Sequence, residues 1–380
     1  MATTHPDPRP FRFFDNREKY LLFVTTCSEK QVTAERIGRE FEYLRPRPPA
    51  LRVFDAGAGD GTVLSMVLRR LHQRWPTVPF FVVAKEISRE DVRIILDKLA
   101  DRFHEHPQMV VVVTNMFYAE APWLFPNKPE VQGRLTWREV GLAGTSAQEF
   151  DVQIKAELAF VNEGWQTTAS PKAGNPLYVS PSVLVLYRAD HKFALHEVIP
   201  EREQRDHAYD LVIVSQPYRA RLPAEFKVRN VLAPLALSLA PGGRMITIQS
   251  TGRDPGMEII REVWPGEDPF RTPRHVLIDA LRDRLRANKP DLVYLNPSAR
   301  SAEFRYHLQL NPHEVDSTIG TSTLLAAWNA AVYVAQIDDE RLTQAMSHRK
   351  YLEATQKVLR KHNGLWFNNE CFVVTRRLRG

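Results

Sequence analysis

The sequence predicts an α/β protein built on a doubly wound, mostly parallel sheet. Three apolar runs carry that expectation: Leu51-Arg-Val-Phe-Asp55, Phe80-Phe-Val-Val-Ala84 and Met109-Val-Val-Val-Val113. Each ends in polar residues and is separated from the next by an amphipathic stretch. That is the pattern of parallel strands buried on both faces, with a ligand edge at their carboxyl ends. Between the first strand and its helix lie Gly57, Gly59 and Gly61, a turn that lets backbone approach a ligand without an intervening Cβ.

Taken in order, residues 1–50 read as a helical lid segment. Phe11-Arg-Phe-Phe14 opens it, and a helix pattern runs from Ser28 to Leu44 with Ser28 and Gln31 placed as a capping box. Prolines 46, 48 and 49 then stop the helix before the first strand. Helices are expected over Thr62–Gln73 and Arg89–Phe103. From 119 to 207 the helix–strand alternation lapses. Ile154, Ala156, Leu158 and Phe160 alternate, and Val183–Tyr187 with Phe193–Val198 flank a turn, so antiparallel strands are expected around a loop holding Gly164, Pro171, Gly174 and Pro176. This predicts an inserted β-rich element over the cleft. The sheet resumes with Tyr209–Tyr218, a helix over Phe226–Leu239 and a strand over Arg244–Gln249. A helix over Arg274–Arg286, a strand over Phe304–Leu310, helices over Thr318–Gln336 and Ser347–Lys361, and a last strand over Leu365–Thr375 complete the chain. The core is thus expected in 51–118 and 208–380, with 119–207 inserted.

Composition narrows the class. The chain has 380 residues, 43% hydrophobic and 25% charged, as in an ordinary folded protein. The net charge of +6 and sequence pI near 9.3 suit anionic ligands, but no concentrated basic and aromatic stripe marks a nucleic-acid surface. The longest apolar stretch, Leu324–Ala335, contains Asn329 and is too short to span a bilayer. Cys27 and Cys371 lack metal-type spacing and fit a reduced compartment, and no signal-type hydrophobic region leads the chain, so a cytoplasmic protein is expected.

The glycine turn excludes two nucleotide fingerprints. Gly-x-Gly-x-x-Gly would need glycine at 62 or 64, where Thr62 and Leu64 stand, and the Lys-Ser/Thr of a phosphate loop is absent. What remains is Asp55 before three alternating glycines, with Glu86 at the end of the second strand. An acid facing a cationic amino-acid-like group and an acid accepting two ribose hydroxyls suit a nucleoside without phosphates.

Val53-Phe-Asp-Ala-Gly-Ala-Gly-Asp-Gly61 resembles motif I of class I S-adenosylmethionine-dependent methyltransferases. Glu86 resembles that family's ribose-binding acid, and Thr114-Asn115-Met116 falls where the family contacts adenine, with Asn115 replacing the usual Asp. Tyr209–Tyr218 resembles the fourth-strand motif, and Leu239-Ala-Pro-Gly-Gly-Arg-Met245 resembles the turn before strand five. The resemblance implies a seven-stranded Rossmann-like sheet and S-adenosyl-L-methionine as cofactor, with S-adenosyl-L-homocysteine as product. It places the cofactor on Asp55, Gly57, Gly59, Gly61, Thr62, Glu86, Ile87, Asn115, Met116 and Ser215. Ser215-Gln216-Pro217-Tyr218 resembles the Asn/Asp-Pro-Pro-Tyr motif that holds a planar nitrogen, with Ser215 standing at the Asn/Asp position.

Methyl transfer by in-line displacement needs alignment more than acid–base chemistry. Tyr218 and Ser215 at the fourth-strand end and Tyr20 in the lid are the candidate catalytic residues, with Lys19 beside Tyr20. His191, His196 and His207 are further candidate bases. The implied acceptor is a small molecule or peptide. A nucleic-acid methyltransferase and an inactive methyltransferase-fold binding protein are the alternatives.

Overall fold

The computed structural model describes residues 17–169, 176–287, 289, 291–309 and 320–378. Phe11–Phe14, Pro171, Gly174, Leu310 and Thr318 lie outside the described residues. Twelve strands are described: β1 (Leu51–Asp55), β2 (Phe80–Lys85), β3 (Met109–Thr114), β4 (Thr136–Leu142), β5 (Thr167–Ala169), β6 (Pro176–Tyr178), β7 (Ser182–Arg188), β8 (Tyr209–Ser215), β9 (Leu239–Ser250), β10 (Leu292–Leu295), β11 (Glu303–His307) and β12 (Trp366–Arg376). Ten form one mixed sheet in the order β10-β12-β9-β8-β1-β2-β3-β7-β4, with β11 also pairing with β12, while β5 and β6 form a separate pair.

The parallel centre, β3-β2-β1-β8-β9, is the doubly wound arrangement expected from sequence. Strand order reverses between β1 and β8, the switch point outside whose carboxyl ends such sheets bind ligands. Alternation along the strands feeds two cores. Leu51, Val53, Met109, Val111 and Val113 face one layer, and Phe54, Val110 and Val112 face the other.

The sheet has ten strands where seven were expected, because it grows at both edges. β7 pairs antiparallel with β3 and β4 parallel with β7, while β12 runs antiparallel to β9. The 119–207 segment therefore extends the sheet instead of hanging over the cleft. Ile154–Phe160 is helical, within Ala147–Ala156 and Leu158–Gly164, where Ser146 and Glu149 make a reciprocal capping box. Phe193–Val198 is no strand either, and the Phe193 side chain is 91% exposed.

The first helices, α1 (Arg17–Thr26) and α2 (Glu29–Gly38), divide their loyalties. α2 packs on α3 (Thr62–Arg74), and α1 packs on the distant helix Gly320–Val334. The covering layer is thus shared between both ends of the chain, in a third core holding Phe23, Tyr306, Trp328 and Phe367. Ser28 makes no capping box. Its hydroxyl donates to the His307 carbonyl and accepts the His307 N–H, tying α2 to β11.

Candidate functional site

Asp55 ends β1 with its carboxylate buried and accepts the Gly57 N–H at 3.3 Å. The chain then turns through Gly59 at φ +54° and Gly61 at φ +74°, a region that L side chains avoid. A Cβ on Gly61 would also lie 3.2 Å from the Ile95 Cα, so packing and conformation both require glycine there. Gly57 differs, since a Cβ there would meet nothing within 4 Å. Open space beside that backbone is what a closely approaching ligand needs. The Asp60 carboxylate accepts the Thr62 N–H and, at 2.6 Å, the Thr62 hydroxyl, which starts α3.

Glu86 closes the turn from β2. One carboxylate oxygen accepts the Gly59 N–H at 2.9 Å, and the other accepts Ile87 N–H at 2.8 Å and Ser88 N–H at 2.9 Å. Three of about four acceptor positions are filled by backbone, which fixes the acid and leaves room for one further donor. Burial pushes the Asp55 carboxyl up to about 7; the Gly57 N–H opposes the rise and Glu86 adds to it. Burial also raises the Glu86 carboxyl, against the pull of Lys85. Two desolvated acids thus meet at one turn, and Lys30 is the cation that acts on Asp55.

The covering helices supply Tyr20, a candidate of the sequence reading, and Lys30, which that reading did not assign. Tyr20, on α1, buries a hydroxyl that has no hydrogen-bond partner among the described residues and lies 3.4 Å from where a Gly59 Cβ would stand. Lys30, on α2, stands 5.4 Å from the Tyr20 ring centroid and 3.6 Å from the Glu29 carboxylate. Burial opposes the Lys30 charge, but Tyr20, Glu29 and Asp60 hold its pKa well above the usual lysine range. Burial likewise opposes the Asp60 charge, which Lys30, Thr62 and Lys98 nevertheless keep below the usual carboxylate range. Lys19 is turned away, paired with Asp339 at 2.6 Å.

Asn115 and Met116 do not reach an open site. Met116 is fully buried, and the Asn115 amide donates to the carbonyls of Gly164 and Ser180 while its oxygen accepts the Ser182 N–H, each at 2.9 Å. With the Trp165 Nε1–H donating to the Glu86 carbonyl at 2.8 Å, these bonds make the 119–207 segment a buttress behind the turn.

At the end of β8, Ser215 is half-buried, and Gln216 holds φ +49°, a strained conformation for a non-glycine residue. The Gln216 amide donates to the Ser250 hydroxyl at 2.9 Å and reaches the Asn369 oxygen at 3.4 Å. Two clefts meet at Gln216 and Ser250. One, of about 240 Å3, is walled by Tyr218, Lys227 and Gln249. The other, of about 420 Å3, is walled by Phe23, Glu29, Tyr306 and Tyr333. The Tyr218 hydroxyl donates to the Gln249 side chain at 3.2 Å, and burial pushes the Lys227 ammonium, 4.9 Å from the Tyr218 ring centroid, down to about 8. The three histidines are not brought here. His207 precedes the amino end of β8 and stacks on Phe81, and His191 and His196 follow β7, whose antiparallel run ends beside the amino end of β3. Nothing in their local sequence separates them from site residues; only strand direction does.

No protein-family model matches the chain, and no curated protein matches it. Among solved structures it is similar to a protein assigned as a sarcosine dimethylglycine methyltransferase from Galdieria sulphuraria, at 9% identity over 92% of this chain and 85% of that one, with a TM-score of 0.37. It is similar to geranyl diphosphate C-methyltransferase from Streptomyces coelicolor A3(2), at 11% identity over 91% and 76% of the two chains, with a TM-score of 0.34. A third, the rRNA methyltransferase aviRa from Streptomyces viridochromogenes, shares 17% identity over 58% and 73%, with a TM-score of 0.26. All three are methyltransferases.

Proposed function

We propose that the chain is an S-adenosylmethionine-dependent methyltransferase. The observation that carries this reading is the meeting of Glu86 with the Gly59 N–H at the carboxyl ends of β1 and β2, beside buried Asp55. A pyrophosphate would add negative charge beside two desolvated carboxylates with no cation contributed by the turn. A nucleoside carrying a cationic amino-acid tail meets the opposite electrostatics.

Gly57 and Gly59 would admit the donor against bare backbone, Glu86 would take a ribose hydroxyl, and Asp55 would face the methionyl ammonium. Lys30 adds the cation that a methionyl carboxylate requires. Ser215 and Gln216 border the turn from β8. S-adenosylmethionine supplies an electrophilic methyl on a sulfonium that leaves as a neutral thioether. The protein's own share is alignment and exclusion of water. Tyr20 closes over the turn from α1, and the cleft beyond Tyr333 is where an acceptor would enter. A small molecule or the end of a peptide suits a cleft walled by Phe23, Glu29, Tyr306 and Tyr333 better than a nucleic-acid strand does.

Thermal unfolding tests this directly. S-adenosylhomocysteine and S-adenosylmethionine are expected to raise the melting temperature by several degrees at concentrations near 100 times their Kd, about 2.7 kcal/mol of linkage, while NAD and ATP leave it unchanged. Stabilisation by the pyrophosphate cofactors alone would contradict the reading.

A further inference from the structure

The larger cleft has walls of a particular chemistry. Phe23 stands 4.7 Å from Tyr333 and 6.1 Å from Tyr306, measured between ring centroids, and the latter pair meets edge-on. Tyr333 in turn lies 5.9 Å from Tyr20, the tyrosine that touches the glycine turn. The cleft thus begins one aromatic ring from the proposed donor site. Beneath these rings sits Glu29, 6% exposed, with a carboxylate oxygen that has no hydrogen-bond partner among the described residues. Lys30 is its nearest cation, and at 3.6 Å the two are in charge contact without a hydrogen bond.

A buried carboxylate oxygen without a hydrogen bond is costly, and the ion-pair contact with Lys30 leaves its hydrogen-bonding capacity open to a further donor or cation. Aromatic faces around it attract cations and offer neutral polar groups little. Lys30, whose ammonium stands 5.4 Å from the Tyr20 ring centroid next to this wall, shows that an ammonium is tolerated against a tyrosine face here, and its charge is shared with Asp60 on the donor side. Lys30 itself lines the cleft beside Glu29, and the remaining polar wall, Gln216, Ser250 and Gln336, carries no formal charge.

We infer that this cleft is the acceptor pocket and that the acceptor carries a compact alkylammonium group, held over Phe23, Tyr306 and Tyr333 with Glu29 as its counter-charge. This rests on the reading of the glycine turn as donor site and adds the chemical class of the acceptor.

The test uses the full chain, saturated with S-adenosylhomocysteine, and two probes of equal shape. Choline carries the cation, and 3,3-dimethylbutan-1-ol replaces the nitrogen with carbon. By calorimetry choline is expected to bind roughly tenfold or more tighter than the alcohol. Glu29→Gln is expected to remove that preference, and Phe23→Leu, which keeps an apolar wall, to reduce it severalfold. Affinity for S-adenosylhomocysteine stays within about twofold in both variants, which reports that they are folded. Equal binding of choline and the alcohol to the wild-type chain overturns the inference, whatever the variants do. So does an unchanged choline preference in Glu29→Gln. Failure of S-adenosylhomocysteine to bind would instead remove the donor reading, and the choline comparison on the unliganded chain would still decide the chemistry of the pocket.

Discussion

Asn115 shows how far one residue type can mislead. At the end of β3 its amide suits an adenine edge, yet three backbone groups consume it. Asn115→Ala would leave the Ser182 N–H without its acceptor and the Gly164 and Ser180 carbonyls to share the Ser182 hydroxyl, so a loss of about 1–3 kcal/mol is expected in denaturant unfolding. A mere loss of ligand affinity at unchanged stability would return the residue to the cofactor. Asp55 and the glycines stood out as candidates because a strand-to-helix turn announces itself within ten residues, and Glu86 because it follows the next apolar run. Glu29, Lys30 and Tyr333 did not, since the site joins α1, α2 and the helix Gly320–Val334, separated by about three hundred positions. No local pattern tells a site-lining tyrosine from a packed one.

At the level of elements, the parallel core was readable from its apolar runs, and the edges were not. β4 is an edge strand with Thr136, Arg138 and Glu139 exposed, so it lacks the buried stripe that marks a strand. The alternation of Ile154, Ala156, Leu158 and Phe160 suggested period two, but the fully buried residues are Phe150 and Ile154, four apart on one helix, and Val161 on the next, with Leu158 and Phe160 only partly buried. That packing makes the 119–207 segment part of the main core. Phe150→Ala is therefore expected to cost about 3–5 kcal/mol of global stability by denaturant titration, where an appended substrate element would lose its own order alone.

For the whole molecule, proton linkage gives the site a signature. Asp55 titrates near 7 in the folded chain and near 3.8 ordinarily, so the native state holds the extra proton between those values. Its contribution to stability is therefore lost as pH rises from about 4 to about 7, and Asp55→Asn should flatten that slope in pH-dependent melting. A cationic ligand tail beside Asp55 favours the carboxylate, so binding at pH 6 should release protons. Calorimetry in buffers of different ionisation heat is expected to show the release in the wild-type chain and not in Asp55→Asn.

The proposal on which the others depend is that the turn at Gly57–Gly61 holds the methyl donor. Its most direct measurement is calorimetric titration of S-adenosylmethionine into the wild-type chain and into Gly59→Val, with circular dichroism to confirm that both are folded. The φ of +54° at Gly59 and the nearby Tyr20 hydroxyl leave a β-branched side chain no relaxed conformation. One-to-one binding to the wild type, weakened at least roughly tenfold in the variant, is the expected result. Equal affinity in the two, or no binding to the wild type, would contradict the claim.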